Sequence, residues 1–178
     1  KNININQIHL FEPSKKCFEF LKEKFYQEKV YINNKALSNI DKISRFYENE
    51  ILSQSSLHNT KNKFNSNLKN TSQYKIQCTT LDNYFYSKDK KKIIDLLKID
   101  AEGEDLNVLK GAKNILKNKK VKLIKIELLN SFMSSKKKSN INEIIFFLDK
   151  YNYFLTTITK TKFVKEKLLM MDVYFSYK

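Results

Sequence analysis

Four carboxylates lie close together in residues 96–105, LLKIDAEGED. They are Asp100, Glu102, Glu104 and Asp105. Asp100 directly ends an apolar run typical of a buried strand, and a partly buried carboxylate there must be neutralised by a partner or serve a function. Lys98 lies two residues earlier, on the same side of a strand, and is the expected partner. Gly103 permits a tight turn or the close approach of a ligand to the backbone.

Two of these four carboxylates, and two acids elsewhere in the chain, have separate interpretations. Glu104 and Asp105 open the next predicted helix, where carboxylates cap free N–H groups and match the helix dipole. Glu12 follows the predicted strand QIHLF, and Glu127 lies inside or just past VKLIKI. Because ligands bind beyond the carboxyl ends of the strands in an α/β sheet, we expect Glu12, Asp100 and Glu127 to lie along one edge.

Glu12 has two interpretations that its position alone leaves open. A carboxylate after a strand of a nucleotide-binding unit can accept hydrogen bonds from both ribose hydroxyls. It can equally serve the N-terminus of the helix that Ser14 is predicted to begin, where the dipole favours negative charge.

The elements that must position these acids begin with a strand, a helix and a strand. Residues 7–11 and 30–33 predict the strands, and such a crossover implies that they are parallel. The helix begins at Ser14, and its apolar stripe consists of Phe18, Leu21 and Phe25. Beyond this unit, residues 45–52 and 74–81 predict extended chain, whereas the polar, asparagine-rich residues 58–73 predict a loop.

Strands and helices alternate in the second half of the chain. The predicted strands are residues 92–100, 121–129, 153–158 and 168–177, and the last two form an antiparallel hairpin. The predicted helices are residues 104–118 and 141–151. The apolar run over residues 92–100 is nearly continuous, so this strand is expected to be covered on both faces.

This order of elements predicts a single α/β domain over residues 1–178, with helices on both faces of the sheet. The sequence contains no apolar run of membrane-spanning length and no signal-peptide pattern. Cys17 and Cys78 lie far apart, with no cluster of metal ligands. We therefore expect reduced thiols in a cytoplasmic protein, and no metal site.

The net charge of +15 raises the alternative of a non-catalytic nucleic-acid-binding domain. Arg45 is the single arginine among 34 basic residues, although arginine is the better side chain for bidentate phosphate or guanine contacts. The composition therefore favours a solvated lysine surface. The one cluster in which bases might stack is Tyr84, Phe85 and Tyr86, beside the lysines of residues 88–92.

Gly103 and Gly111 are the two glycines of the chain. A nucleotide-binding α/β fold usually has a glycine-rich turn after its first strand, because the backbone must approach the ligand there. We therefore expect that the first strand and its loop precede Lys1.

Several segments together resemble the FkbM-type S-adenosylmethionine-dependent methyltransferases. They are FEP at 11–13, NNKALSN at 33–39, TTLDNYF at 79–85, LLKIDAEGEDLNVLKGA at 96–112 and IKIELL at 124–129. The resemblance implies a class I methyltransferase fold, which is a Rossmann-like, mostly parallel sheet with an antiparallel C-terminal strand. The family's first strand and glycine-rich loop are missing from this chain, which leaves an inactive fragment as a further alternative.

The resemblance also implies an activity and a set of residues. The activity is methyl transfer from S-adenosylmethionine to a hydroxyl of a sugar, glycan, lipid or small metabolite. The matching cofactor-binding residues are Glu12 with Pro13 at the ribose, Ala36 and Leu37 at the adenine, and Asp100 and Glu102 beside the methyl group. We expect Asp100 to act as the base, with Lys98 tuning it and Glu127 as the second acid; a metal ion is not required.

Overall fold

The computed structural model describes residues 5–26, 29–49, 55–57, 70–86, 91–129, 140–164 and 167–178. The strands in these ranges are β1 (Ile8–Phe11), β2 (Val30–Asn33), β3 (Ala36–Leu37), β4 (Lys42–Asn49), β5 (Asn70–Thr79), β6 (Ile94–Ile99), β7 (Val121–Leu129), β8 (Tyr153–Val164) and β9 (Lys167–Tyr177). The helices are α1 (Lys15–Lys24), α2 (Asp105–Lys110), α3 (Lys113–Lys117) and α4 (Ile141–Asp149), and Asp82–Tyr86 forms a π-helical turn.

The described strands form three sheets. β1 and β2 pair in parallel, as the predicted crossover requires. β5 lies between β3, which is parallel to it, and β4, which is antiparallel. The third sheet has the order β6-β7-β9-β8, in which β6 and β7 are parallel and β9 is antiparallel to both of its neighbours. The reversed C-terminal hairpin is therefore confirmed.

One mostly parallel sheet is not what the described residues form. Three of the six strand pairs are antiparallel, and the sheets are mixed. One edge of β1 and one edge of β6 have no partner among the described strands.

The main core lies on one face of the third sheet. Ile124, Ile126 and Val173 point to this face and are fully buried. The helix residues packed there include Leu109, Leu116, Ile144 and Leu148. On the opposite face, Leu96 is 54% exposed, so the expectation that residues 92–100 are covered on both faces is wrong for the described part of the chain. Helices α2, α3 and α4 all pack on this main core, so they cover one face of the third sheet and not both.

Two boundaries also differ from the sequence pattern. Residues 70–73 belong to β5 and not to a loop, because β4 supplies the backbone partners that this polar segment needs. Residues 58–69 lie outside the described residues. The helix predicted over residues 104–118 is divided into α2 and α3 at Gly111 and Ala112, although its apolar stripe is buried as expected.

Gly111 ends α2 at a point where its backbone lies against the segment after β3. A Cβ atom at this position would lie 2.1 Å from the carbonyl oxygen of Ser38, and 3.3 Å from Cβ of Thr80. The backbone carbonyl of Gly111 also accepts a hydrogen bond from the N–H of Asp82. A side chain is therefore excluded by the backbone of the segment after β3, and not by a flexible neighbour. No helix in the described ranges is long and apolar enough to cross a lipid bilayer.

Replacing Gly111 by alanine should destabilise the fold. Because the carbonyl of Ser38 occupies the space, Gly111→Ala is expected to lower the free energy of unfolding by about 1–3 kcal/mol, as for overpacked cores. Urea unfolding followed by circular dichroism measures this change. Lys110→Ala, an exposed substitution one residue earlier, is the control and should change the free energy by less than about 0.5 kcal/mol. Equal effects would contradict the assigned contact.

Candidate functional site

The turn after β1 holds Glu12 in place. The backbone N–H of Ser14 donates to Oε1 of Glu12 at 2.7 Å. The side-chain amide of Asn34 donates to the carbonyl of Glu12 at 2.9 Å, which ties the turn after β1 to the turn after β2. Burial raises the pKa of the half-buried Glu12 carboxyl, the N–H of Ser14 lowers it in part, and the charge of Glu48 raises it further.

Glu48 is a buried carboxylate behind this turn. Its Oε1 accepts hydrogen bonds from the hydroxyls of Ser14 at 2.8 Å and Tyr74 at 3.1 Å. Its Oε2 accepts from the hydroxyl of Ser72 at 3.1 Å and lies 3.6 Å from Nζ of Lys16. Burial alone would raise the pKa of Glu48, but these hydroxyls and the lysine together hold it below its ordinary value.

Ala36 and Leu37 form strand β3, and they pack in different cores. Ala36 is buried in a second, smaller core with Phe46, whereas Leu37 packs on the main core and is half buried. Leu37 is therefore the more accessible of the two residues that we matched to the adenine. The next residue, Ser38, is buried, and its hydroxyl contacts Oε2 of Glu104 at 3.5 Å.

The turn after β6 presents Asp100 to solvent. Its Oδ2 lies 2.9 Å from Nζ of Lys98, which confirms the expected pairing of these two side chains. We expected Asp100 to be partly buried, but its side chain is exposed. Its charge therefore remains hydrated and does not require a partner for the fold to be stable. Glu102 and Gly103 both have positive φ angles, 48° and 100°, and the tight turn that Gly103 predicted is confirmed.

Glu104 and Asp105 stabilise this turn, but not as simple helix caps. Glu104 occupies the N-cap position, yet its carboxylate makes no capping hydrogen bond and accepts from the side-chain amide of Asn107 at 3.0 Å. Asp105 accepts from the backbone N–H of Ala101 at 3.0 Å, which closes the turn. Burial raises the pKa of Asp105, and the N–H of Ala101 lowers it in part.

Glu127 lies level with Asp100 across the sheet. Because Lys98 pairs with Lys125 in the parallel register, Asp100 follows at the level of Glu127. Glu127 is in turn opposite Asp172 on β9. These carboxylates share the face of the sheet that is opposite the main core, since they alternate with its fully buried residues. Asp100 and Glu127 are thus neighbours in one row, as expected from the strand ends.

The turn that holds Glu12 is joined to the main core through the residue before Glu12. Phe11, which precedes it, and Leu37 both pack against the core that contains Ile99, the residue before Asp100. β1 and β3 therefore both contact the core to which β6 contributes. The roles assigned to Glu12, Pro13, Ala36, Leu37, Lys98, Asp100, Glu102 and Glu127 remain predictions.

Sequence reasoning missed two buried acids, Glu48 and Asp172. Asp172 is fully buried, with its Oδ2 2.8 Å from Nζ of Lys125 and 3.6 Å from Nζ of Lys160. The contact with Asp172 raises the pKa of Lys125. The available signal was strand alternation, because Glu48 lies on the same side of β4 as the buried Phe46. An acid at an inward position of a strand indicates a buried carboxylate with a partner.

Two of the three aromatic residues that supported a nucleic-acid interface, Tyr84 and Phe85, pack against other side chains. Phe85 is buried, and the half-buried Tyr84 packs edge-on against Phe11 and bonds the ring of His9 through its hydroxyl. The side chain of Tyr86 lies outside the described residues. Among the residues that the structure describes, no group of three or more His, Cys, Asp and Glu side chains has an arrangement that could hold a metal ion. Both cysteines are free thiols.

Comparisons with known proteins show the family and the kind of fold. The sequence profile of a family described as the methyltransferase FkbM domain matches residues 4–155. No curated protein sequence matches the chain significantly. The crystal structure of methyltransferase FkbM from Methylobacillus flagellatus KT, at 2.20 Å resolution, is similar, with a TM-score of 0.52 and 12% sequence identity. The likeness covers 96% of this chain and 36% of that chain, and at this identity it shows an α/β fold of the same kind.

The ion pair of Asp172 provides a stability test with an internal control. The side chain of Lys125 is 15% exposed, whereas that of Lys160 is 69% exposed. Lys125→Met leaves the buried Asp172 without its close partner and should lower the free energy of unfolding by roughly 3 kcal/mol. Lys160→Met removes a solvated contact and should cost less than about 1 kcal/mol. Chemical unfolding of both variants gives the comparison; a larger loss for Lys160→Met would refute the assignment.

Proposed function

The chain belongs to the FkbM methyltransferase domain family, and we propose that it binds S-adenosylmethionine and transfers the methyl group to a hydroxyl of a sugar, glycan, lipid or small metabolite. The observation that carries this proposal is that the family match over residues 4–155 contains every acid that we assign to the site. A cytoplasmic location is part of the proposal and is supported by the two free thiols.

The groups at the strand ends fit this cofactor chemically. Oε1 of Glu12 accepts from Ser14, and Oε2 accepts no hydrogen bond from the described residues. The carboxylate therefore keeps lone pairs for two ribose hydroxyls. Pro13 fixes the backbone of that turn, because its ring restricts φ. Leu37 offers apolar atoms for the adenine, with Ala36 behind it in the second core.

The residues after β6 would carry out the chemistry. When bound, S-adenosylmethionine supplies a methyl group on a positively charged sulfur that leaves readily. Asp100 takes the hydroxyl proton of the acceptor on a carboxylate oxygen, and the ammonium of Lys98, 2.9 Å away, holds that carboxylate in position. Glu127 lies in the same row and orients the acceptor. Glu102 would lie beside the methyl group.

The proposal includes a further strand between β1 and β6. Each of these strands has an edge without a partner among the described strands, and edges of this kind pair readily. A strand that pairs with both edges would join the first and third sheets, and its following loop would supply the glycine-rich turn for the methionine portion of the cofactor. Cofactor binding is therefore best measured on two proteins, which are this chain and a form extended upstream in its reading frame.

Replacing Asp100 tests the chemical step. Asp100→Asn in the extended form should lower methyl transfer about 100-fold or more, because the amide cannot take the proton. Transfer of tritiated methyl groups from S-adenosylmethionine to a glycan and metabolite extract of the source cells measures the rate. Calorimetry should find the affinity for S-adenosylhomocysteine changed by less than about threefold.

Asp95→Asn is the matched control for this experiment. Asp95 lies on β6, is 81% exposed and is also paired with a lysine, Lys122, at 2.6 Å. Its replacement should leave the rate within about twofold of the original. An Asp100→Asn protein with an unchanged rate would remove Asp100 from the mechanism.

The raised pKa of Glu12 makes cofactor affinity pH-dependent in a defined direction. As the pH falls from 7.5, Glu12 is protonated earlier than an ordinary glutamate, and its hydrogen bonds to ribose weaken. Calorimetry should show that the affinity for S-adenosylhomocysteine falls as the pH is lowered from 7.5. Glu12→Gln should bind about tenfold more weakly at pH 7.5, a loss of roughly 1.4 kcal/mol, and should lack this pH dependence. The same pH profile in Glu12→Gln and in the unsubstituted protein would contradict the role of Glu12.

A further inference from the structure

Helix α1 begins with charges of the wrong sign. Lys15 and Lys16 occupy its first turn, and that turn contains no acid. The N-terminus of a helix carries a partial positive charge, so two lysines there are unfavourable. Glu48, from β4, supplies the missing negative charge, and it lies 3.6 Å from Nζ of Lys16.

Glu48 reaches the start of α1 through two hydroxyls. Ser14 is the N-cap, since its Oγ accepts from the N–H of Cys17 at 3.3 Å while donating to Glu48 at 2.8 Å. The hydroxyl of Tyr74 accepts from the N–H of Lys15 at 3.2 Å while donating to Glu48 at 3.1 Å. Two backbone N–H groups in the first turn, which have no partner within the helix, are thereby linked through these hydroxyls to the carboxylate of Glu48.

Ser14 also connects this carboxylate to the proposed cofactor site. Its backbone N–H holds Oε1 of Glu12 at 2.7 Å, and its hydroxyl is held by Glu48. We propose that Glu48 is a positioning residue for Glu12, which fixes the ribose-binding carboxylate through Ser14 and keeps a second negative charge behind it. This inference rests on the proposed function for the identity of the ligand, but not for the coupling of the two acids.

The coupling has a signature that a purely structural role lacks. The titratable groups in this network are Glu48 from β4, Tyr74 from β5, and Lys16 from α1. The charge of Glu48 raises the pKa of Glu12, so removing that charge without removing volume should lower the pKa of Glu12. A residue that served packing alone would leave the titration of Glu12 unchanged.

Glu48→Gln tests the inference in the full chain. Carbon-13 NMR of the labelled Glu12 carboxyl gives its titration midpoint, and the amide resonance of Ser14 reports the turn. We expect a lower midpoint, a shifted Ser14 amide and S-adenosylhomocysteine affinity reduced at least about threefold at pH 7.5. Glu19→Gln, an exposed acid of α1 with the same charge change, is the control and should leave all three unchanged.

The NMR measurements need no cofactor, so they separate the two proposals. An unchanged Glu12 midpoint and Ser14 amide in Glu48→Gln would overturn the positioning role even if the protein binds S-adenosylhomocysteine. A protein that binds none would overturn the proposed function, while the titration still decides the coupling. Should Glu48→Gln fail to fold, Glu48→Asp keeps the charge and shortens the reach. It should shift the Ser14 amide, and an unshifted amide would overturn the proposal.

Discussion

The close approach of Gly111 to the backbone of Ser38 is the constraint on which the rest of the arrangement depends. The described residues form two separate cores, and Ser38 follows the strand that belongs to the smaller one. At the end of α2, Gly111 has no Cβ atom, so its backbone can lie against the backbone of Ser38. The contact between Ser38 and Glu104 lies beside it and continues the junction toward the acidic turn. Gly111 and Ser38 thus join the end of α2 to the segment after β3.

The acids described above, in a chain with a net charge of +15, fall into two groups. Glu48, Glu104, Asp105 and Asp172 are buried, and each has a lysine, a hydroxyl, an amide or a backbone N–H against its carboxylate. Buried charge is costly unless it is paired, so these acids hold elements together. Asp100 is exposed, and Glu12 and Glu127 are half buried. Carboxylates of this second kind can meet a ligand without dismantling the fold.

The sequence was sufficient to predict the elements whose pattern is local. The helix after Ser14, the parallel pair β1 and β2, and the C-terminal hairpin were predicted from local patterns, and the structure confirms them. The apolar stripe predicted for the helix is only partly right, because Phe25 is its C-cap and no residue of α1 is buried. The pairing of Lys98 with Asp100 was equally predictable, because two residues on one strand share a side. The family resemblance is confirmed by the profile match.

The errors concern interactions between distant segments. No local pattern shows that the polar residues 70–73 pair with β4, or that Gly111 divides a helix whose apolar stripe is continuous. The sequence wrongly predicted that both faces of β6 are covered. An apolar run does not show whether a second layer of structure packs on a strand, and in the described residues Leu96 is exposed. The link from Glu48 to Glu12 through Ser14 spans more than thirty residues of sequence and depends on tertiary contacts alone.

We propose that the ends of β1, β3 and β6 form one cofactor-binding edge, and a map of the ligand contacts tests this proposal. Nitrogen-15 NMR of this chain and of its upstream-extended form, titrated with S-adenosylhomocysteine, provides that map. We predict saturable amide shifts at residues 12–14, 36–38 and 100–103, in at least one of the two forms. Shifts confined to α4 or to the hairpin of β8 and β9, or no saturable shift in either form, would contradict the account.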